Sequence, residues 1–490
     1  MPEVREFPDN IHHIHIMGIG GTAMAALAGL LVAQGYKVTG SDGNIIYPPM
    51  SDVIANLGIT PMVGYNRENI IKERPDLVIV GNVVRPDYDE AVYLVTESGL
   101  PYMSFPALLG ARFLDQTKNI VVAGTHGKTT TTSFGAWLLE AAGRKPGFLI
   151  GGAALNFNTT ARKSEGDFFI IEGDEYNTSF FDRGSPKFLH YRPHAAIITS
   201  VEFDHADIYR DLEHCQEAFT RLVQTMPHDG CLIVRGDHQT VMDCIIDPPC
   251  EVRRYGKNQE WDGRIDQIDT EKGTMHFSVL HKGRVWGQFE SIMVGEHNLY
   301  NQVALAATME FYGLNPEDLA KGFSTFEGIK RRQQVLGNPS GVTVIDDFAH
   351  HPTAIKLTLS GLKMKFGDRR LWAIFEPRSA TSRRNTFQEQ FVPSFKPADI
   401  VVLAPPFNQS GIPEEERLDA DRLISDLRSQ DQEAYLWGKA PKGIEDWSAS
   451  ASADSIANSV VSNSQPGDVI AILSNGGFGG LHQKILKRLT

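Results

Sequence analysis

Two glycine-rich turns, "GIGGTA" at 18–23 and "GTHGKT" at 124–129, each follow a strand-like run and open a helical pattern. Strand, tight glycine turn and helix form the start of a βαβ unit, so strands alternating with helices after each start imply parallel sheet covered on both faces. The first series of strands reads "IHHIHIMG", "YKVTGSD", "PDLVIVGN" and "PYMS", with helix-length stretches at 22–34 and 87–98. The second reads "KNIVVAGT", "GDFFIIEGDE", "HAAIITSVE" and "GCLIVRGD", and ends on the helical pattern "GEHNLYNQVALAATMEFYG". Residues 250–290 turn polar, with turns at "KNQEWDG", "EKGT" and "HKGR", and are expected to form an antiparallel insertion. A third series begins near Gly341 with "GVTVIDDFAHHP", "RLWAIFEPRS", "ADIVVLAPP", "AYLWG" and "GDVIAILSNGG". These restarts place three α/β domains at 1–117, 118–337 and 338–490, in keeping with a length of 490 residues. The stretch "SASASADS" at 448–455 is expected to be a loop or a helix start.

Composition excludes some classes. The net charge is −13 with no long basic run, which argues against non-specific binding to nucleic acid or anionic membranes. No stretch of 18 unbroken apolar residues occurs, and the start "MPEVREFPDNIHHIHIMGIGG" has no secretory pattern, so a cytoplasmic location is expected. Four cysteines (Cys215, Cys231, Cys244, Cys250) without a CxxC pair are expected to be reduced and structural.

The second turn carries the chemistry. Gly124 and Gly127 let the N–H groups of Thr125, His126 and their neighbours converge on phosphate oxygens, and the helix that follows adds its positive end. Lys128 supplies a point charge for the β- and γ-phosphates; the Thr129 hydroxyl, followed by Thr130, suits a magnesium ligand. The pattern is an imperfect P-loop, because Val122 stands where the first glycine belongs. "FFIIEGDEYN" ends an apolar strand with Glu172, Asp174 and Glu175, and "AAIITSVEFDHADIY" delivers Glu202, Asp204, His205 and Asp207 to the same edge. A carboxylate and an imidazole from neighbouring strand ends could hold magnesium against a triphosphate. Acidic residues that merely cap the following helices are the alternative.

The first turn matches the dinucleotide pattern at Gly18, Gly20 and Ala23, with Asp42 at the end of the next strand. A hydride-transfer enzyme has no need of an ATP loop downstream. A nucleotide-sugar held by its pyrophosphate accommodates both turns, with Gly18, Gly20, Gly21, Thr22, Ser41, Asp42 and Asn82 as its candidate contacts.

Taken together, "GIGGTAMAALA", "GTHGKTTTT", "IEGDEYN", "EFDHADIY", "GEHNLYNQVA", "FEGIKRRQ" and "DDFAHHPTAI" resemble, in that order, the Mur ligase family. "GIGG" resembles its muramate-accepting branch. "YPPMS" (47–51), "PYMS" (101–104), "FDRGSPKFLHYRP" (181–193), "FEPRS" (375–379) and "SNGGFGGLHQKIL" (474–486) resemble members that take a ready-made tripeptide. The resemblance implies a Rossmann-like UDP-binding domain, a central P-loop ATPase domain and a C-terminal Rossmann-like domain. It implies ATP and Mg2+, and as substrates UDP-N-acetylmuramate and the L-Ala-γ-D-Glu-meso-diaminopimelate tripeptide, with no nucleic acid, membrane or obligate protein partner. An acyl phosphate on the muramoyl carboxylate would be attacked by the peptide amine.

By the same resemblance Thr129 and Glu172 would hold one magnesium and His205 a second, while His297, Asn298 and Asn301 match an adenine-binding "HNxxN" pattern. Arg331 and Arg332 suit phosphate contact, or form a solvated basic pair. Asp346, Asp347, His350, His351 and Arg378 would contact ATP or the amine; the two histidines could equally cap the helix that starts at Pro352. Lys128, His205, Arg378 and His351 are the catalytic candidates. Several Mur ligases carry a carbamoylated lysine after the "DH" motif, but here the helix reads "LEHCQEAFTRLV", without lysine. Free L-alanine as acceptor, and a nucleotide sensor without catalysis, stay open as alternatives.

Overall fold

A computed structural model describes residues 6–46, 50–157, 159–182, 184–204, 208–437 and 453–490. His205 and Asp207 lie outside the described residues, as do Tyr47–Pro49 of "YPPMS" and residues 448–452 of "SASASADS". The chain falls into two compact units. The first comprises Met1–Glu202, Asp211–Trp261 and Ala304–Gly322; the second comprises Phe203–Arg210, Asp262–Val303 and Phe323–Thr490.

The first unit holds two parallel-stranded arrays. In one, β1 (His13–Met17), β2 (Lys37–Asp42), β3 (Met62–Val63), β4 (Leu77–Val80) and β5 (Tyr102–Ser104) run in the order β3-β2-β1-β4-β5, all parallel. In the other, β6 (Lys118–Ala123), β7 (Gly147–Leu149), β8 (Ala161–Arg162), β9 (Phe168–Gly173), β10 (Ala195–Ile198), β11 (Cys231–Arg235) and β12 (Glu251–Tyr255) take the order β12-β11-β10-β6-β9-β7-β8. Only β8 is antiparallel to its neighbour among these described strands. Continuous apolar runs such as "LVIV" and "FFII" fit such sheets because both faces are covered, and each buried Val, Ile or Phe contributes about 1.5–3 kcal/mol. The polar stretch at 250–290 departs from the antiparallel expectation at its start. Strand β12 pairs in parallel with β11 from Cys231↔Glu251 to Arg235↔Tyr255, and its polar sequence reflects half-exposure at that side of the sheet.

One histidine of β1 is wholly buried. His15 lies 2.8 Å from Glu90 and 2.9 Å from the Thr39 hydroxyl, while Asn69 donates to Glu90 and to the carbonyl of Gly64. That network fixes the turn carrying Tyr65, whose ring stacks on Tyr88 with centroids 4.8 Å apart. A buried polar cluster of this kind persists only because its members are bonded to one another.

In the second unit the chain runs through β13 (Trp261–Asp269) and an antiparallel hairpin, β14 (Thr274–His281) with β15 (Arg284–Ser291), as expected for that part of the insertion. A further sheet follows in the order β16-β17-β21-β18-β19-β20, from β16 (Gln334–Gly337), β17 (Thr343–Asp347), β18 (Leu371–Phe375), β19 (Ile400–Leu403), β20 (Glu433–Leu436) and β21 (Val469–Leu473). Strands β17 to β21 are parallel and β16 is an antiparallel edge. Apolar clusters cover both faces, one around Phe375, Phe391 and Phe395, the other around Trp372, Trp437 and Ile472.

All four cysteines are free, and Cys215, Cys231 and Cys244 are buried. Burial pushes the thiols of Cys231 and Cys244 up to about 12. Among the described residues no helix is long and apolar enough to cross a membrane.

Candidate active site

Strand β6 is flanked by β9 on one side and β10 on the other, and the chain leaves it in one direction before returning to the other side. Ligands bind at the carboxyl ends of strands at such a switch point. The loop after β6 curls through Gly124 at φ +134° and Gly127 at φ +83°, and the helix Lys128–Ala141 starts immediately after. A Cβ on Gly124 would come within 2.2 Å of the Thr199 hydroxyl and 2.9 Å of the Ser200 backbone. Only glycine fits there. The loop is braced from the end of β10: Thr125 donates its N–H to the Ser200 carbonyl at 2.9 Å, and His126 donates its own to the Ser200 hydroxyl at 3.0 Å. The Thr125 hydroxyl accepts from the Glu202 N–H at 2.8 Å. Ser200 and Thr199 were not singled out from the sequence; their signal was a hydroxyl pair directly after an apolar strand.

The three acids at the end of β9 and just beyond it have separate tasks. Glu172 accepts from the Thr129 hydroxyl at 3.1 Å and from the Gly151 N–H at 2.6 Å. Asp174 lies 3.4 Å from Lys187. Glu175 places both carboxylate oxygens on the Lys128 ammonium, at 2.9 and 3.3 Å, and Lys128 also donates to the Gly124 carbonyl at 2.6 Å. Burial alone pulls the Lys128 ammonium down, but Glu175, Asp174 and Glu172 outweigh it and hold the group above the ordinary lysine range. A triphosphate and a hard cation fit these residues: a glycine cradle at a helix start, a fully charged lysine, and a hydroxyl beside a carboxylate as oxygen donors. Thr130 is buried in the first turn of the helix.

At the first turn, Gly18 (φ +84°) and Ile19 donate their N–H groups to the Ser41 carbonyl, and Gly20 donates to Asp42 at 2.9 Å. Gly21 caps the helix Thr22–Ala33, whose opening N–H groups are left for an anion. The Ser41 hydroxyl is buried beside this turn with no hydrogen-bond partner among the described residues, and Asn82 is exposed after β4. A buried hydroxyl left unsatisfied suits a ligand's polar group.

In the second unit the candidates separate into organising and available groups. Asp347 accepts from the N–H groups of Gln333 (2.7 Å) and Ala349 (2.8 Å), and burial pushes its carboxyl above the usual range despite nearby Arg332. Burial likewise raises Asp346, against the opposing charge of Arg331. Arg331 has a task within the fold. Its guanidinium donates to the carbonyls of Ser474 and Gly476, both at 2.6 Å, and so pins the loop after β21. Arg332 lies over the Phe348 ring at 4.9 Å. His351 accepts from the Thr353 N–H through Nδ1 at 3.2 Å and caps the helix Pro352–Phe366, while His350 pairs with the Phe348 carbonyl at 3.0 Å. Arg378 lies flat, 3.9 Å from the Phe407 ring centre, over Gly476, where a Cβ would come within 2.2 Å of Nε. In the helix Glu296–Phe311, the Asn298 amide donates to the Val294 carbonyl, His297 lies 3.5 Å from Gln333, and Asn301 is buried.

The sequence matches three domain patterns. These are the Mur ligase family catalytic domain over 13–116, the Mur ligase middle domain over 122–309, and the Mur ligase glutamate ligase domain over 331–476. The chain is similar to the UDP-N-acetylmuramate--L-alanyl-gamma-D-glutamyl-meso-2,6-diaminoheptandioate ligase of Escherichia coli (strain K12), at 39% identity over 97% of this chain and 98% of that one. It is also similar to the UDP-N-acetylmuramate--L-alanine ligase of Alkaliphilus metalliredigens, at 34% over 80% of this chain and 82% of that one. A solved murein peptide ligase from Psychrobacter arcticus superposes with a TM-score of 0.69 at 34% identity, covering 98% of both chains. The glycine cradle, its paired lysine and acids, and these matches along nearly the whole sequence agree: the chain belongs to the Mur ligase family.

Proposed function

We propose that the protein is the ATP-dependent ligase that joins the carboxylate of UDP-N-acetylmuramate to the amine of L-Ala-γ-D-Glu-meso-diaminopimelate, as in peptidoglycan recycling. The carrying observation is the loop in which Lys128 pairs with Glu175 and Thr129 with Glu172 at the carboxyl edge of the central sheet, in a chain 39% identical to a ligase named for that reaction. In this reading residues 1–117 hold the UDP-sugar, 118–337 the ATP, and 338–490 the acceptor peptide.

A carboxylate resists attack by an amine because an oxide is a poor leaving group; phosphorylation replaces it with phosphate. Lys128 sets a full charge beside the phosphoryl group in transfer; the N–H groups at the start of the helix Lys128–Ala141 cradle its oxygens, because those of Thr125 and His126 are held by Ser200. Thr129 and Glu172, with His205, would hold magnesium, which supplies neutralisation of the developing phosphate charge. Gly18, Gly20, Gly21, Thr22, Ser41, Asp42 and Asn82 take the UDP-sugar; His297, Asn298 and Asn301 take the adenine of ATP, with Arg332 on its phosphates and Asp347 also at the ATP. Arg378 faces the acceptor amine or its carboxylates. His351 serves the site through the turn it caps. The reaction takes place in the cytoplasm.

The test is phosphate release with ATP, magnesium and UDP-N-acetylmuramate, offering the tripeptide or L-alanine in parallel. Faster turnover with the tripeptide is expected. Strong turnover with L-alanine alone would make the chain an L-alanine ligase, the second reading, which the 34% identity to such an enzyme keeps in view.

A further inference from the structure

The role of Glu175 is not accounted for by a metal site. Glu172 accepts from the Thr129 hydroxyl and the Gly151 N–H, and Asp174 faces Lys187, whereas Glu175 pairs with Lys128. Its side chain is 6% exposed, so it is not a solvated acid that happens to lie near a lysine. The Lys128 ammonium has three N–H groups. One goes to the Gly124 carbonyl at 2.6 Å and another to Glu175 at 2.9 Å, with the second Glu175 oxygen farther off at 3.3 Å, and this fixed carbonyl and carboxylate restrict where the third can point. A lysine on a four-carbon stem otherwise loses rotamer freedom when a phosphate captures it.

We propose that Glu175 is the positioning residue for phosphoryl transfer: with the Gly124 carbonyl it fixes the Lys128 ammonium before nucleotide arrives, leaving one N–H for the transferred group. The proposal rests on the ATP-loop reading above. It predicts an order of rescue. Glutamine keeps the length and one acceptor oxygen, aspartate keeps the charge but is one methylene short, and alanine keeps neither. Aim by hydrogen bonding ranks Glu175→Gln above Glu175→Asp above Glu175→Ala, whereas neutralisation of charge would place aspartate above glutamine.

The experiment compares the three variants with wild type in the full chain. In phosphate release, Glu175→Ala should lower kcat about 100-fold, the size expected for a misplaced catalytic group, with the KM for ATP changed less than about three-fold. In nucleotide-free protein, acetylation of Lys128 by N-hydroxysuccinimide acetate, followed by peptide mass mapping, should run several-fold faster in Glu175→Ala than in wild type. In a Lys128→Met background the further loss from Glu175→Ala should vanish, because Glu175 acts through Lys128. An unchanged kcat, an unchanged acetylation rate, aspartate outranking glutamine, or an undiminished effect in the Lys128→Met background would each overturn the proposal. Wild type silent with every acceptor would instead sink the ligase reading, and the acetylation rates would still report on Lys128.

Discussion

At the scale of single residues, the ATP loop depends on two backbone conformations that side chains disfavour and on one contact with no room to spare. Gly124→Ala would place a methyl against the Thr199 hydroxyl and the Ser200 backbone while holding φ near +134°, a region reserved for glycine. A loss of about 3 kcal/mol in stability is expected, together with loss of ADP binding. Thermal melting and titration calorimetry measure the two, and a variant that melts and binds like wild type would show that the loop relaxes freely. Sequence alone identified Gly124, Gly127, Lys128 and Thr129 because a phosphate loop leaves a local pattern. It could not assign Glu172, Asp174 and Glu175 to different partners, since three acids within four residues look alike until the strand end fixes which way each points. For Arg331 the missing part lay far off in the sequence: a basic pair beside a hinge gives no sign that one nitrogen of its guanidinium will donate to the carbonyls of Ser474 and Gly476, more than 140 residues away.

At the scale of elements, the strands buried on both faces were the legible ones. "LVIV", "FFII" and "VIAIL" are unbroken apolar runs, and each became a central parallel strand. The two-residue β3 and the short helices Met50–Asn56 and Arg67–Glu73 carry too little periodicity to stand out. Strand β12, "EVRRY", hid its parallel pairing because half-exposed strands are polar whichever way they run. The start of β21 offers a test of what pins an element in place. Asp468 is buried on entry to that strand, bonded to Arg370 and to the Trp372 indole N–H at 3.0 Å. Burial pushes its carboxyl up, but Arg370, the Gln465 N–H and Trp372 outweigh it and hold the group below the usual carboxylate range. A lowered folded-state pKa adds stability above the unfolded value, near pH 4, which is lost as pH falls through the folded value. Asp468→Asn should therefore cost about 2 kcal/mol at pH 7, and the deficit should shrink below about pH 4. Urea melts at pH 7 and pH 3 would show it, and an equal deficit at both would refute the linkage.

At the scale of the whole molecule, sites on both glycine turns imply that each nucleotide ligand stabilises the fold it occupies. Either UDP-N-acetylmuramate or ATP with magnesium, at about 100 times its dissociation constant, should add about 2.7 kcal/mol to the part that binds it. Differential scanning calorimetry with each ligand separately would reveal the two gains, and chelation by EDTA should diminish only the ATP effect. No shift with UDP-N-acetylmuramate would remove the first turn from the site. The burial of the thiols reaches further than their redox state. Alkylating reagents act on thiolates, and at neutral pH Cys231 and Cys244 supply almost none, while Cys215 is covered and Cys250 is also raised by burial. Only Cys250 is partly exposed to a maleimide dye, so in a Cys250→Ser chain one cysteine introduced at an exposed position can carry a fluorophore without first stripping the core of its own sulfur.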